Sequence, residues 1–147
     1  MTENQKKYRQ YATDAFRLYA MIGESSADEY KRSIEEKVRL KFSHESAESV
    51  GRRVISEING MKREIIDVGS VDDVMKELRA KGRDDIMGAL RCVYFAEPAR
   101  IMKKGEIKDR VLRYATDYHA DARTVYRWLG IARRKFFEAR GMNTIPD

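Results

Sequence analysis

The sequence predicts an all-α protein, a helical bundle, and three observations predict it. Apolar residues recur every three or four positions along most of the 147-residue chain, the period of a helix with one buried side. Two prolines and nine glycines are too few to supply the many turns of an all-β fold. The charged fraction of 37% is well above the usual quarter, as expected of surface-rich helices.

The first helix is predicted over residues 5–22. Tyr8, Tyr11, Ala12, Ala15, Phe16, Tyr19 and Ile22 fall at helical spacing there, and Gly23 ends the run. Ser26-Ala27-Asp28-Glu29 has the form of a capping box, in which serine and glutamate satisfy each other's orphan amides. Tyr30, Ile34, Val38 and Phe42 then share a face. Residues 43–67 carry Ala47, Val50, Val54, Ile58, Met61 and Ile65 in steps of three and four. Gly51 and Gly60 weaken that segment by roughly 1 kcal/mol each relative to alanine, and residues 54–58 have the alternative of a short strand, for which no pairing partner is evident. Gly69-Ser70 is expected to end the segment, and Ser70 with Asp73 to start a short acidic helix reaching Ala80. Gly82-Arg83-Asp84 marks the next stop and start. Asp84 is expected to cap a helix holding Ile86, Leu90, Val93 and Tyr94, which ends before Pro98.

Two further helices are predicted beyond the loop. Ile107, Val111, Tyr114, Ala115 and Tyr118 make one apolar face on a helix of about three turns. A break follows at His119-Ala120, and Asp121 is a good N-cap. Stepping about 100° per residue, Val125, Trp128, Leu129, Ala132, Phe136 and Ala139 gather on one side. Arg123, Arg127 and Arg134 gather opposite, with Gly130 in the gap and Tyr126 at the flank. Gly141 is expected to close the helix as a left-handed cap.

The charge is uneven in a way that favours this end. Residues 97–141 hold 12 Lys+Arg against 6 Asp+Glu, while residues 1–96 are near neutral with 18 against 17. The net charge of +6 therefore sits in the C-terminal third, an electrostatic footprint that nucleic-acid binders share. Two helices, a tight break and a basic outer face describe a helix-turn-helix. In that motif the start of the second helix enters the major groove of double-stranded DNA. Arg123, Tyr126 and Arg127 are then expected at base edges, because a guanidinium fork addresses guanine O6 and N7 together. Thr124 and the first amides of the helix are expected at phosphate. Lys103, Lys104 and Lys108 upstream, with Arg133 and Arg134 downstream, are expected to neutralise further phosphates. The alternative is a protein-interaction or phage-assembly module, terminase-small-subunit-like forms included, whose basic helix docks an acidic partner. Gly130 has two readings as well: a close crossing against another helix, or a backbone that must approach the duplex or a partner.

Asp121-Ala122-Arg123-Thr124-Val125-Tyr126-Arg127-Trp128-Leu129, followed by Ala132-Arg133 and Phe136, resembles the second half of the helix-turn-helix in sigma factor region 4. It is closer still to prophage-encoded regulators of the ArpU and RinA kind, over residues 84–141. The resemblance implies sequence-specific DNA binding in transcription control of phage or mobile-element genes, with RNA polymerase as a partner. His119-Ala120 departs from it, since many such motifs have a glycine or small polar turn there.

Catalysis is not expected. His44 and His119 are the two histidines, and no Cys/His/Asp cluster has metal-ligand spacing, so neither a metal nor a cofactor is expected. Gly82 and Gly88 fit no phosphate-cradling loop. Asp72-Asp73 and Asp84-Asp85 are expected at helix starts, where they complement the dipole. Cys92 and His44 make a weak case for a nucleophile and base. A single cysteine cannot form an internal disulfide, which fits a reducing compartment. The first residues carry no signal-peptide core, and no apolar run approaches about 18 residues. The expectation is a cytoplasmic protein without a membrane span. Residues 1–81 form a helical region for homodimerisation or partner binding, and residues 82–147 a DNA-binding region.

Overall fold

A computed structural model describes residues 1–142; the final five residues of the predicted C-terminal region, 143–147, lie outside the described residues. Those described form seven α-helices: α1 (Glu3–Met21), α2 (Ala27–Lys41), α3 (Ala47–Gly60), α4 (Lys62–Ala80), α5 (Asp84–Leu90), α6 (Glu106–Asp117) and α7 (Ala122–Arg140). A π-helical turn, Arg91–Phe95, continues α5. None of the helices is long and apolar enough to cross a membrane.

The starts of the helices follow from side chains that satisfy orphan amides. Thr2 accepts from the Gln5 amide at 3.1 Å and the Gln5 side chain accepts from the Thr2 amide at 2.9 Å. Ser26 and Glu29 close the expected capping box at 3.2 Å in both directions. α4 is the centre of the bundle, packed by α1, α2, α5 and α7. It buries Ile65, Val68, Val71, Val74, Met75 and Leu78, a girdle too wide for a surface helix. One hydrophobic cluster runs from Ala12 through these residues to Ile86, Leu90, Val93, Val111, Leu129 and Phe136, so it crosses the Lys81-Gly82 turn. α2 and α3 pair as a hairpin with a second, smaller cluster of Val38, Val50 and Val54. Ile58 packs against both clusters.

Several expectations are corrected. The stripe of residues 43–67 breaks at Gly60–Met61, and residues 54–58 are helical, not a strand. α4 passes through Gly69 and Ser70 without interruption. A Cβ on Gly69 would stand 3.1 Å from the Ala27 Cβ, so this glycine permits the approach of α2 and does not break a helix. Ser70 donates to the Ile66 carbonyl at 3.0 Å and caps nothing. Asp72-Asp73 consequently sits in mid-helix. Asp72 is buried, accepting from the Tyr19 hydroxyl at 2.9 Å and pairing with Lys76 at 3.0 Å. Asp84 is the first residue of α5 and not its cap; that position is held by Arg83, without a side-chain cap bond. Ala139 is exposed, and Phe137 is half-buried beside α1 in its stead.

Candidate nucleic-acid interface

The geometry of the basic helix is set at its first turn. His119 takes a left-handed conformation, φ 57°, which places the amides of His119 and Ala120 over the carbonyls of Thr116 (3.4 Å) and Ala115 (3.0 Å). This is the Schellman pattern that normally uses glycine, and histidine tolerates it better than most side chains. Asp121 follows in an extended conformation and its Oδ1 accepts from the Thr124 amide at 2.8 Å. The Thr124 backbone and side-chain hydrogen bonds hold the Asp121 carboxyl below its ordinary range, with Arg123 and Arg127 adding to the effect. Three rings fix how α6 crosses α7. Tyr114 stacks on Tyr118 at 5.4 Å, and Tyr118 meets Trp128 edge-on at 5.6 Å.

With its inner side locked by Val125, Trp128, Leu129, Ala132 and Phe136, all buried, α7 presents the opposite side to solvent. Arg123, Arg127 and Arg134 are exposed, and no hydrogen bond or ion pair ties their side chains among the described residues. Tyr126 is 42% exposed beside them. At Gly130 an added Cβ would meet only the Arg133 guanidinium, at 3.6 Å, so no close helix crossing occurs there. Lys103 and Lys104 are exposed on the loop of residues 96–105, and Lys108 is exposed near the start of α6.

Two expected phosphate contacts are placed differently. The Thr124 amide is already engaged by the Asp121 carboxylate, which also puts negative charge where an anion would sit. Arg133 is half-buried and donates to the Tyr94 hydroxyl at 2.8 Å. The basic excess of the region is likewise partly internal. Lys135 pairs with Glu77 at 2.9 Å and Arg140 with Asp67 at 2.6 Å. Arg100 pairs with Glu106 at 2.8 Å, and Arg110, buried, pairs with the same carboxylate at 2.7 Å. What remains at the surface is therefore a narrower set, concentrated on α7 and around the start of α6.

The structure does not join Cys92 to His44. The Cys92 thiol donates to the Arg110 carbonyl at 3.7 Å, and burial pushes its pKa up. His44 is exposed between α2 and α3, 3.9 Å from Glu45. Compared with models of known families, with curated proteins and with solved structures, the chain matches none.

Proposed function

We propose that this chain is a sequence-specific DNA-binding regulator of transcription, of the phage or mobile-element kind, in which α6 and α7 act as a helix-turn-helix. One observation carries the proposal. Three exposed arginines without ion-pair partners among the described residues share one stripe of α7, directly opposite a face locked into the core. Arg39 of α2 and Arg52 of α3, by contrast, pair with carboxylates one turn away on their own helices. Arg123 and Arg127 are separated by about 6 Å along the helix axis, near two base-pair steps, and each offers a planar fork suited to guanine. Tyr126 flanks them as an apolar contact for a base edge. Lys103, Lys104, Lys108 and Arg134 supply phosphate contacts. The resemblance of residues 121–136 to sigma factor region 4 and to ArpU- and RinA-like regulators points the same way, with RNA polymerase as the further partner it implies.

The test is a salt titration of duplex binding, on a site selected from a random library and on an unrelated duplex. Arg123→Ala with Arg127→Ala is expected to abolish the difference between the two duplexes. Lys103→Ala is expected to weaken both alike and to reduce the slope of log K against log salt by about 0.9. A wild-type chain that binds no duplex even at low salt sinks the proposal, and leaves the basic helix as a docking surface for an acidic protein.

A further inference from the structure

The first turns of α1 lie along the C-terminal half of α7. Tyr8 meets Phe137 edge-on with ring centroids 5.0 Å apart, and Tyr11 packs on Phe136 at 6.1 Å and Phe137 at 6.3 Å. Beyond these contacts an open groove of about 450 Å³ runs between the two helices, lined by Met1, Gln5, Tyr8, Arg9, Arg133 and Phe137. Among the described residues its lining contains two guanidinium groups and no carboxylate. Arg9 is exposed with no ion pair among the described residues, and Lys6 stands one turn earlier in the same state. On α7, steps of about 100° put Gly130, Arg133 and Phe137 along the edge of the Arg123–Arg127–Arg134 stripe. The groove is thus the lateral continuation of the basic face, with cations contributed by a helix remote in sequence.

We propose that this groove and the α1 surface beside it are a second contact to the same duplex, in which Arg9 on the groove and Lys6, one turn earlier on the adjoining surface of α1, hold the phosphodiester backbone at the edge of the major groove that α7 enters. The inference rests on the DNA-binding reading above. Length supports it: from Arg123 to Arg133 α7 rises about 15 Å, whereas the major groove is about 12 Å wide. A helix that places its first turn on base edges and leaves the groove at an angle meets a backbone strand within that length, and Arg133 and Arg9 line the same groove at that end of α7. Phosphate oxygens are the anions available at that point. The wall of Tyr8 and Phe137 holds the two helices at a fixed separation and leaves the cations on the rim.

The experiment is the same salt titration, run on Lys6→Ala with Arg9→Ala. Two lost phosphate contacts are expected to lower the slope of log K against log salt by about 1.8. Affinity should fall by one factor on specific and unrelated duplexes, with discrimination and melting temperature unchanged. Arg9→Lys is expected to restore the slope, since a phosphate contact needs the charge more than the fork. If the wild type binds duplex and responds to Arg123→Ala with Arg127→Ala, yet the α1 variant binds with unaltered slope and affinity, this inference is wrong and the reading of α7 stands. A loss of discrimination in the α1 variant would also overturn it, because backbone contacts carry no sequence information. A wild type that binds no duplex removes both.

Discussion

Gly88 and Tyr114 make a contact in which one hydrogen-sized side chain decides the fit of two helices. The Tyr114 hydroxyl donates to the Asp85 carbonyl at 2.9 Å, over the first turn of α5. A Cβ on Gly88 would overlap that hydroxyl and stand 3.1 Å from the Tyr114 Cζ. The ring cannot simply rotate away, because it is stacked on Tyr118. Burial is the main reason why the Tyr114 pKa is pushed up to about 12, consistent with a hydroxyl held in place. Gly88→Ala should therefore destabilise the protein by about 1–3 kcal/mol through overpacking, although alanine is the better helix former. Urea denaturation measures this, and a neutral or stabilising result would refute it. In a Tyr114→Phe background the same substitution should cost less, since the atom most in conflict is gone.

At the scale of elements, the junction between α5 and α6 depends on two buried arginines. The π-helical turn and the loop after it leave carbonyls with no helical partner. Arg17 of α1 donates to the carbonyls of Tyr94 (3.0 Å) and Glu97 (2.9 Å), and also to that of Arg100. Arg110 of α6 donates to Val93 (2.9 Å) and Ala96 (3.0 Å). Burial, followed by the charge of Arg110, lowers the pKa of Arg17. Each buried carbonyl left unpaired costs about 1–3 kcal/mol. Arg17→Leu should lose several such bonds at once and lower stability by roughly 3 kcal/mol or more, with faster amide exchange across residues 96–105. A loss under about 1 kcal/mol would show that the loop finds other donors.

These arginines also mark where the sequence stops being legible. Helix positions follow from local periodicity and caps, so α1, α2, α6 and α7 were readable, as was the arginine stripe of α7. Arg17 points away from the stripe of Ala12, Ala15, Phe16 and Tyr19, and by periodicity alone it looks solvated. It is buried because residues from a loop some 80 positions away fold over it, which local spacing does not encode. Gly69 misled for the same reason: its role is a contact with Ala27, not a conformation of its own segment. Within the candidate site, exposure separates Arg134 from Arg133 and Lys135, three adjacent cations that composition treats alike.

For the whole molecule, the telling group is the one that joins three helices. Asp67 of α4 accepts from the Tyr11 hydroxyl of α1 at 2.7 Å and from Arg140 of α7 at 2.6 Å. Burial and the Asp67 carboxylate push the Tyr11 pKa up to about 12, from an ordinary value near 10. In the unfolded chain Tyr11 ionises first, so its neutral form favours the fold. That contribution is complete below about pH 10 and is lost as the pH rises towards about 12. Unfolding free energy should accordingly be level from about pH 8 to 10 and then fall. Tyr11→Phe should lower stability at pH 8 and flatten the alkaline decline, by at most about 1.4 kcal/mol per pH unit and by less to the extent that water screens this half-buried ring. Urea titrations followed by far-UV dichroism and by fluorescence of Trp128, the one tryptophan, make the comparison. The two signals should move together, because Trp128 belongs to the same core as Ala12 and Val68. Should Tyr11→Phe decline as steeply as the wild type, the alkaline sensitivity belongs to other groups, such as Tyr19 or Tyr114, whose pKa values burial also raises. Tyr11 touches none of the exposed arginines of α7, so duplex binding at pH 7.5 should survive the substitution, which separates the anchoring of α7 from its outer face.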